Sequence, residues 1–461
     1  MKLKKELNAD FLTAISVYLR LSGRNKVMLE SIPRDNDQSR YSIIAVDPVK
    51  KVTFETGVLR VNGEPQTSLN PLKVLEALVV SADKADGDED DDDDLPFTSG
   101  AIGYVGFDML GFYEKIQPEK LSDPIGTPDM SFMLYESFVI FDHKRERLIL
   151  VEDNVYSGRD EAVLLSALTE KEAQLQRLTK AESARQPVKK MTFHSNFEQA
   201  EFEAKVSAAR ELIRNGDMFQ IVLSQRLSTD FTANPFDYYR QLRVENPSSY
   251  MYFLDFGDFY VIGCSPERLV AMQNGIVSTN PIAGTRRRGR DEAEDAQMIA
   301  ELRQDEKEIA EHKMLVDLGR NDIGKISEYG SVEVPVFMKV ERYRHVMHIT
   351  SEVTGKLRAE FTAMDALIST LPAGTLSGAP KIRAYQRIYE FENEKRGIYG
   401  GAVGYLTKNG NCDFAIAIRT MVLKNGKAHV QAGAGIVYDS VAELEYKETL
   451  NKARGLLEIG E

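Results

Sequence analysis

The chain has 461 residues, 43% hydrophobic and 28% charged, with a formal net charge of -13 at pH 7. That composition is ordinary for a soluble globular protein large enough for two or three domains. The acidic balance excludes a general nucleic-acid binder, which needs a broad basic face for phosphates.

The first ten residues are charged rather than apolar, so they do not read as a signal peptide. No run of about 18 apolar residues occurs, so no membrane span is expected. The two cysteines, Cys264 and Cys412, have no CxxC or metal-type spacing. No disulfide framework is expected, and a reducing cytoplasm fits. Short strand-like runs at 51–54, 58–62, 137–142 and 147–152 mix with helical segments. Between them, every residue of 86–94 except Gly87 is acidic, which predicts a solvated loop. A calcium loop would need glycine where Asp91 stands and glutamate where Phe97 stands. Gly103-x-x-Gly106 lacks a following Lys-Ser or Lys-Thr, so close strand packing is its expected role rather than phosphate binding. A helical run over 161–178 leads into a polar stretch at 178–190. We place there the boundary between an N-terminal domain, 1–180, and a C-terminal domain, 190–461.

Beyond the boundary, 202–214 is an amphipathic helix and 219–227, 250–254 and 259–264 read as strands. A long helix is predicted over 291–319, a buried strand over 415–423, and another over 429–438 with Gly433 and Gly435 inside it. Glycines within a strand often mark the close approach of a ligand or of another backbone. The order of elements is too mixed for a doubly wound sheet. It predicts an α+β protein with large, mostly antiparallel sheets and helices packed outside.

Two acidic pairs stand out, Glu308-x-x-Glu311 and Glu445-x-x-Glu448. On a helix the i, i+3 spacing turns both carboxylates to one side. The row Glu308, Glu311, Leu315, Leu318 passes from acid to apolar, which a merely solvated face does not normally do. Two such helices are able to hold a hard cation such as Mg2+, although most ExxE pairs are simply solvated. Arg419 is the one charge in an otherwise apolar strand, so it must pair with a carboxylate or bind an anion. The run 281–289 offers backbone N–H groups near Gly284 and Thr285, an arrangement that suits an anion. His348 lies in an apolar strand-like run, where a hydrogen-bonded core role competes with a catalytic one.

From about residue 193 onward the chain resembles the chorismate-utilising enzymes. The shared motifs include Phe219-Gln-Ile-Val-Leu-Ser-Gln-Arg226, Gly263-Cys-Ser-Pro-Glu-Arg268, Pro281-Ile-Ala-Gly-Thr285, Leu371-Pro-Ala-Gly-Thr-Leu-Ser-Gly378, Tyr399-Gly-Gly401 and Gln431-Ala-Gly-Ala-Gly435. Both acidic pairs fall inside further motifs of the same family. The resemblance implies the family's fold, a sandwich-like core of large antiparallel sheets. It also implies Mg2+ on Glu311 and Glu448, supported by Glu308 and Glu445, which clamps the ring carboxylate of chorismate. Arg419 and Tyr399 would grip the enolpyruvyl carboxylate, with Gly433, Ala434, Gly435 and Lys452 nearby and Gly284, Thr285 and Thr375 along the ring. Glu267 is the implied general acid and His348 the base of the second step; Glu308, Thr375 and Lys452 belong to the same catalytic set.

Water-using members of the family carry a lysine base where this chain has Gln220, and a neutral amide cannot act as that base. Members of the aminodeoxychorismate branch often carry a nucleophilic lysine where this chain has Ala283. The resemblance therefore implies attack by ammonia, giving anthranilate and pyruvate, with 4-amino-4-deoxychorismate as the alternative product. No Gly-x-Cys-x-Gly nucleophile motif occurs, so a separate glutaminase subunit is expected to supply ammonia within a hetero-oligomer. The resemblance also implies feedback inhibition by L-tryptophan, bound by Leu29, Glu30 and Ser31 together with Asn246, Pro247, Ser249, Tyr250 and Met251.

Overall fold

The computed structural model describes residues 1–31, 40–67, 70–80, 95–116, 121–179, 186, 188–342 and 346–460. The acidic run 86–94 lies outside them. The architecture follows from strands that are apolar on both faces. In Gly100–Val105, Ala101 and Val105 face one way, Ile102 and Tyr104 the other, and all four are buried. A strand with that pattern needs cover on both sides. The fold supplies it with two twelve-stranded sheets packed face to face and helices on the outside. The strand pairs within both sheets are antiparallel. Ile102, Tyr104 and Tyr135 of one sheet meet Phe138, Tyr252 and Val261 of the other in the central core.

Helices Ala14–Arg20, Glu161–Leu175, Pro235–Glu245 and Ala442–Leu457 cover the outer face of the first sheet. Helices Pro71–Val79, Glu306–Gly324 and Ala363–Thr370 cover the second. This is the sandwich with outer helices that the sequence predicts. Val27–Glu30 pairs with Tyr250–Asp255, and Gly100–Val105 with Ala402–Thr407. Strands from before and after 178–190 are thus hydrogen-bonded together in both sheets, and the segments 1–180 and 190–461 share one core.

Two elements differ from the sequence reading. The helix expected over 291–319 is two helices, Glu292–Gln304 and Glu306–Gly324. Asp305 divides them because its carboxylate caps the second, accepting from the backbone N–H of Lys307 at 3.1 Å and of Glu308 at 3.2 Å. The strand expected over 415–423 is also two, Cys412–Ile416 in one sheet and Thr420–Lys424 in the other. The chain changes sheet at 417–419.

Gly103 and Gly404 lie directly opposite one another across a strand pair. A Cβ on Gly404 would sit 2.0 Å from the Asp413 carbonyl oxygen, and one on Gly103 would sit 2.1 Å from that of Ser131. Close packing, as expected for Gly103, is the observed role. Gly404→Ala should therefore destabilise the protein by roughly 1–3 kcal/mol, the usual cost of overpacking. Thermal unfolding followed by circular dichroism should show a lower midpoint; an unchanged one would mean that the strands move apart without cost.

Candidate active site

Two chain segments pass between the sheets side by side. Pro266-Glu267 joins the strand Phe259–Ser265 to Arg268–Gln273, and 417–419 joins Cys412–Ile416 to Thr420–Lys424. They are stitched together by Cys264 N–H to the Arg419 carbonyl at 3.0 Å and Ile416 N–H to the Glu267 carbonyl at 3.0 Å. Arg419 takes a left-handed backbone conformation, φ 50°, which costs a non-glycine residue about 1–3 kcal/mol unless its surroundings fix it. Among the described residues no carboxylate lies within ion-pair distance of its guanidinium, and burial holds its pKa below the ordinary arginine value. A half-buried guanidinium with no carboxylate beside it is a receptor for an anionic group.

Glu267, in the neighbouring crossover, is buried. Burial pushes its carboxyl up to about 8. The backbone N–H of Ile282, the Thr375 hydroxyl (3.4 Å) and the charge of Lys452 pull it back only in part. The group is therefore protonated near neutrality and able to donate. It faces a cavity of about 40 Å³ shared with Thr375, Leu315 and Leu318. The acid-to-apolar helix row thus ends against this carboxyl.

His348 sits on the strand Val346–Lys356, opposite Thr285. The register slips between Ala283 and Thr285, where Gly284 adopts φ +68°. A glycine-dependent bulge turns the Gly284 carbonyl to His348 Nδ1 at 3.1 Å, and the Thr285 hydroxyl lies at the same distance. A carbonyl only accepts, so Nδ1 carries the hydrogen of that bond and the basic lone pair falls on Nε2.

The acidic pairs lie near the N-termini of Glu306–Gly324 and Ala442–Leu457, with Glu308 and Glu445 in the first turns and Glu311 and Glu448 one turn further on. Burial raises the Glu311 carboxyl and the charge of Glu308 adds to it; burial and the charge of Glu448 likewise raise Glu445. The ammonium groups of Lys307 and Lys452 act on both Glu311 and Glu445, so the two helices face one region. Arg286 donates to Glu308 at 3.3 Å, and Lys452 pairs with Glu448 at 2.7 Å. Among the described residues, no three carboxylate, imidazole or thiolate groups converge closely enough to hold a metal as they stand. The donor set nevertheless fits a hard cation, because the two helices present four carboxylates to one region, two of them raised by burial and then by a neighbouring carboxylate.

Lys452 Nζ also donates to the Gly433 carbonyl at 3.1 Å. Tyr399 is buried with its hydroxyl against Gly433, where a Cβ would lie 2.9 Å from that oxygen. A Cβ on Gly435 would lie 2.8 Å from Gln220 Nε2. Gln220 reaches Glu311 at 3.5 Å, and its buried Oε1 has no hydrogen-bond partner among the described residues. The structure thus brings Glu267, Thr375, Lys452, Glu448, Gly433, Tyr399 and Arg419 into one connected region, and sets Glu308 and Glu311 beside Gln220.

Residues 26–458 match the family model described as chorismate binding enzyme. The chain belongs to this family. It is similar to anthranilate synthase component 1 of Lactococcus lactis subsp. lactis (strain IL1403), 68% identical over 461 residues covering 100% of both chains. A crystal structure of anthranilate synthase component I from Streptococcus pneumoniae TIGR4 superposes with a TM-score of 0.85 at 50% identity, covering 98% of this chain and 99% of that one. MenF, the menaquinone-specific isochorismate synthase from Escherichia coli, shares the fold, with a TM-score of 0.72 at 19% identity over 99% of this chain and 95% of that one.

A much larger cavity of this chorismate binding enzyme lies elsewhere. Its volume is about 800 Å³, and Leu29, Glu30, Ser31, Ser249, Tyr250 and Met251 help to line it. Strand pairing brings these two groups of residues together, with Glu30 opposite Met251. Asn246 and Pro247 are not among the lining residues; Asn246 instead donates to the Gly455 carbonyl at 2.8 Å. The Glu30 carboxylate is already held by Tyr239 at 2.6 Å and Arg243 at 2.8 Å.

Sequence reasoning missed Arg396, whose fully buried guanidinium ties the walls of the site together. The spacing of Glu392 and Arg396 just before Tyr399-Gly400-Gly401 was the available signal. It also missed Arg268 and Asp413, which mean little until folding brings them to one cavity.

The Glu267 assignment predicts a pH profile. The donor is the protonated form, so turnover should fall as pH rises through about 8. Glu267→Gln should remove that alkaline limb and cost roughly 10²–10⁴-fold in kcat, the usual range for general acid catalysis. A variant with a wild-type profile would rule out the role.

Proposed function

We propose that this chain is the chorismate-aminating component of an anthranilate synthase, converting chorismate and ammonia to anthranilate, pyruvate and water. The observation that carries the reading is Gln220, whose neutral amide stands beside Glu311 where water-using relatives place a lysine. Ala283 likewise offers no amine for a covalent route. Ammonia needs neither, since it is itself the nucleophile. Mg2+ would be held by Glu311 and Glu448, with Glu308 and Glu445 around it, and when bound it supplies positive charge for the substrate's ring carboxylate. Arg419 and Tyr399 take the second carboxylate. Ammonia bonds at C2, the ring double bond shifts, and the C4 hydroxyl leaves as water with a proton from Glu267. His348 then removes the C2 proton while the C3–O bond breaks, releasing pyruvate and leaving the aromatic ring. Lys452 neutralises charge between Glu448 and the Gly433 carbonyl, and Thr375 orients Glu267.

Both cysteines of the chain are buried, and burial pushes the Cys264 thiol up to about 12, so neither suits a glutaminase nucleophile. A partner subunit therefore releases ammonia from glutamine. The 800 Å³ cavity is the site for L-tryptophan, the feedback inhibitor, and the cytoplasm is the compartment. Purified chain supplied with chorismate, Mg2+ and an ammonium salt should yield anthranilate and pyruvate in equal amounts, less so with added tryptophan. Recovery of 4-amino-4-deoxychorismate would instead place the chain in the folate branch. His348→Met should accumulate the aminated intermediate and release little anthranilate by chromatography; a normal yield would remove the elimination step from His348.

A further inference from the structure

Glu267 stands in the wall between the two cavities. Its side chain faces the small one. Its chain neighbours Pro266 and Arg268, together with Ile282, whose backbone N–H it accepts, line the large one. Arg268 Nε donates to the Tyr250 hydroxyl at 2.7 Å, and Nη1 donates to Asn280 Oδ1 at 3.1 Å. The Tyr250 hydroxyl donates in turn to Asp413 Oδ1 at 3.0 Å, itself 3.5 Å from Arg268 Nε. Tyr250, Asn280 and Asp413 all line the large cavity, so a ligand that fills it meets this network. His348, Glu311, Tyr399, Arg419 and Glu448 are not among its lining residues. An occupant therefore does not compete for the groups assigned to the substrate or the metal.

We propose that Arg268 is a positioning residue that carries occupancy of the large cavity to Glu267, so that a bound amino acid withdraws the proton donor from the departing hydroxyl. The proposal rests on the reading of both cavities given above. Its physical basis is short leverage. Arg268 is bonded into the inhibitor's wall, and one peptide away the Glu267 carbonyl is bonded to Ile416 N–H. A shift of Arg268 reaches Glu267 through the one peptide bond that joins them. Displacing a reacting group by about 1 Å costs on the order of 10²-fold in rate.

The test separates coupling from affinity. Chorismate-dependent anthranilate formation with ammonium as donor is measured at saturating L-tryptophan, and tryptophan Kd is measured by calorimetry. The variants are Arg268→Lys, Asp413→Asn and Tyr250→Phe; the last keeps the ring and removes only the bridging hydroxyl. Thermal unfolding confirms that each is folded. The expected result is a residual rate at saturation, as a fraction of the uninhibited rate, about tenfold or more above wild type whatever the change in Kd, since coupling and affinity are independent quantities. Variants that weaken Kd yet are inhibited as completely as wild type would overturn Arg268 as the link while leaving the tryptophan site intact. Loss of binding in all three would make the network the ligand's own anchor and overturn it too. A wild-type chain that neither binds tryptophan nor is inhibited by it would overturn the cavity reading, and this proposal with it.

Discussion

The architecture of the site depends on the two crossovers that pass together between the sheets. A two-sheet sandwich buries its inner faces completely, so functional side chains must come from places where strands end or change sheet. Here Glu267 and Arg419 lie on adjacent crossovers, and their backbones are bonded to each other's flanking strands. That arrangement fixes a proton donor and an anion receptor relative to one another without a flexible loop. It also accounts for the left-handed backbone of Arg419. The strain is tolerated because the strand ends on both sides are held, and it brings the guanidinium out of the sheet.

Charge is the second organising feature. A chain of net charge -13 repels a dianionic substrate at long range, so local positive charge must offset it. The structure keeps its cations close to carboxylates. Arg286 engages Glu308 and Lys452 engages Glu448, while Arg419 alone of the site arginines is left uncompensated among the described residues. The Glu311 and Glu445 carboxyls are raised first by burial, and the neighbouring charges of Glu308 and Glu448 add to it.

Much of this was legible in the sequence where chemistry is local. Short, continuous apolar runs read as strands with nearly correct limits, as at Phe259–Ser265 and Tyr250–Asp255. The ExxE pairs did fall on helices, because i, i+3 spacing is a property of one segment. What failed was continuity. The apolar run around Arg419 reads as one strand, since hydropathy does not record which sheet a residue joins. The run around Asp305 reads as one helix, since an aspartate inside a polar helix and one that caps the next helix look alike. Partners distant in sequence were legible only through family resemblance, as Glu267 with Thr375 shows. Asn246 shows the limit of that transfer, because its amide bonds to the C-terminal helix rather than facing the cavity.

Arg396 shows why such a site needs a buried charge at all. Its guanidinium donates to the Val222 and Leu376 carbonyls, each at 2.7 Å, and to both oxygens of Glu392, at 2.8 Å and 2.5 Å. Its flat face lies over Phe107 at 4.5 Å and Tyr399 at 5.5 Å. Glu392 in turn accepts from the backbone and hydroxyl of Ser224. Desolvating such a pair costs several kcal/mol per ion, so apolar residues of equal volume would serve stability as well or better. Apolar residues, however, have no directional bonds. The strand that carries Gln220, the short helix that carries Thr375 and the ring of Tyr399 belong to three separate elements, and one planar donor with fixed angles sets all three at once. The buried pair fixes these three elements relative to one another, with any gain in stability secondary to that role.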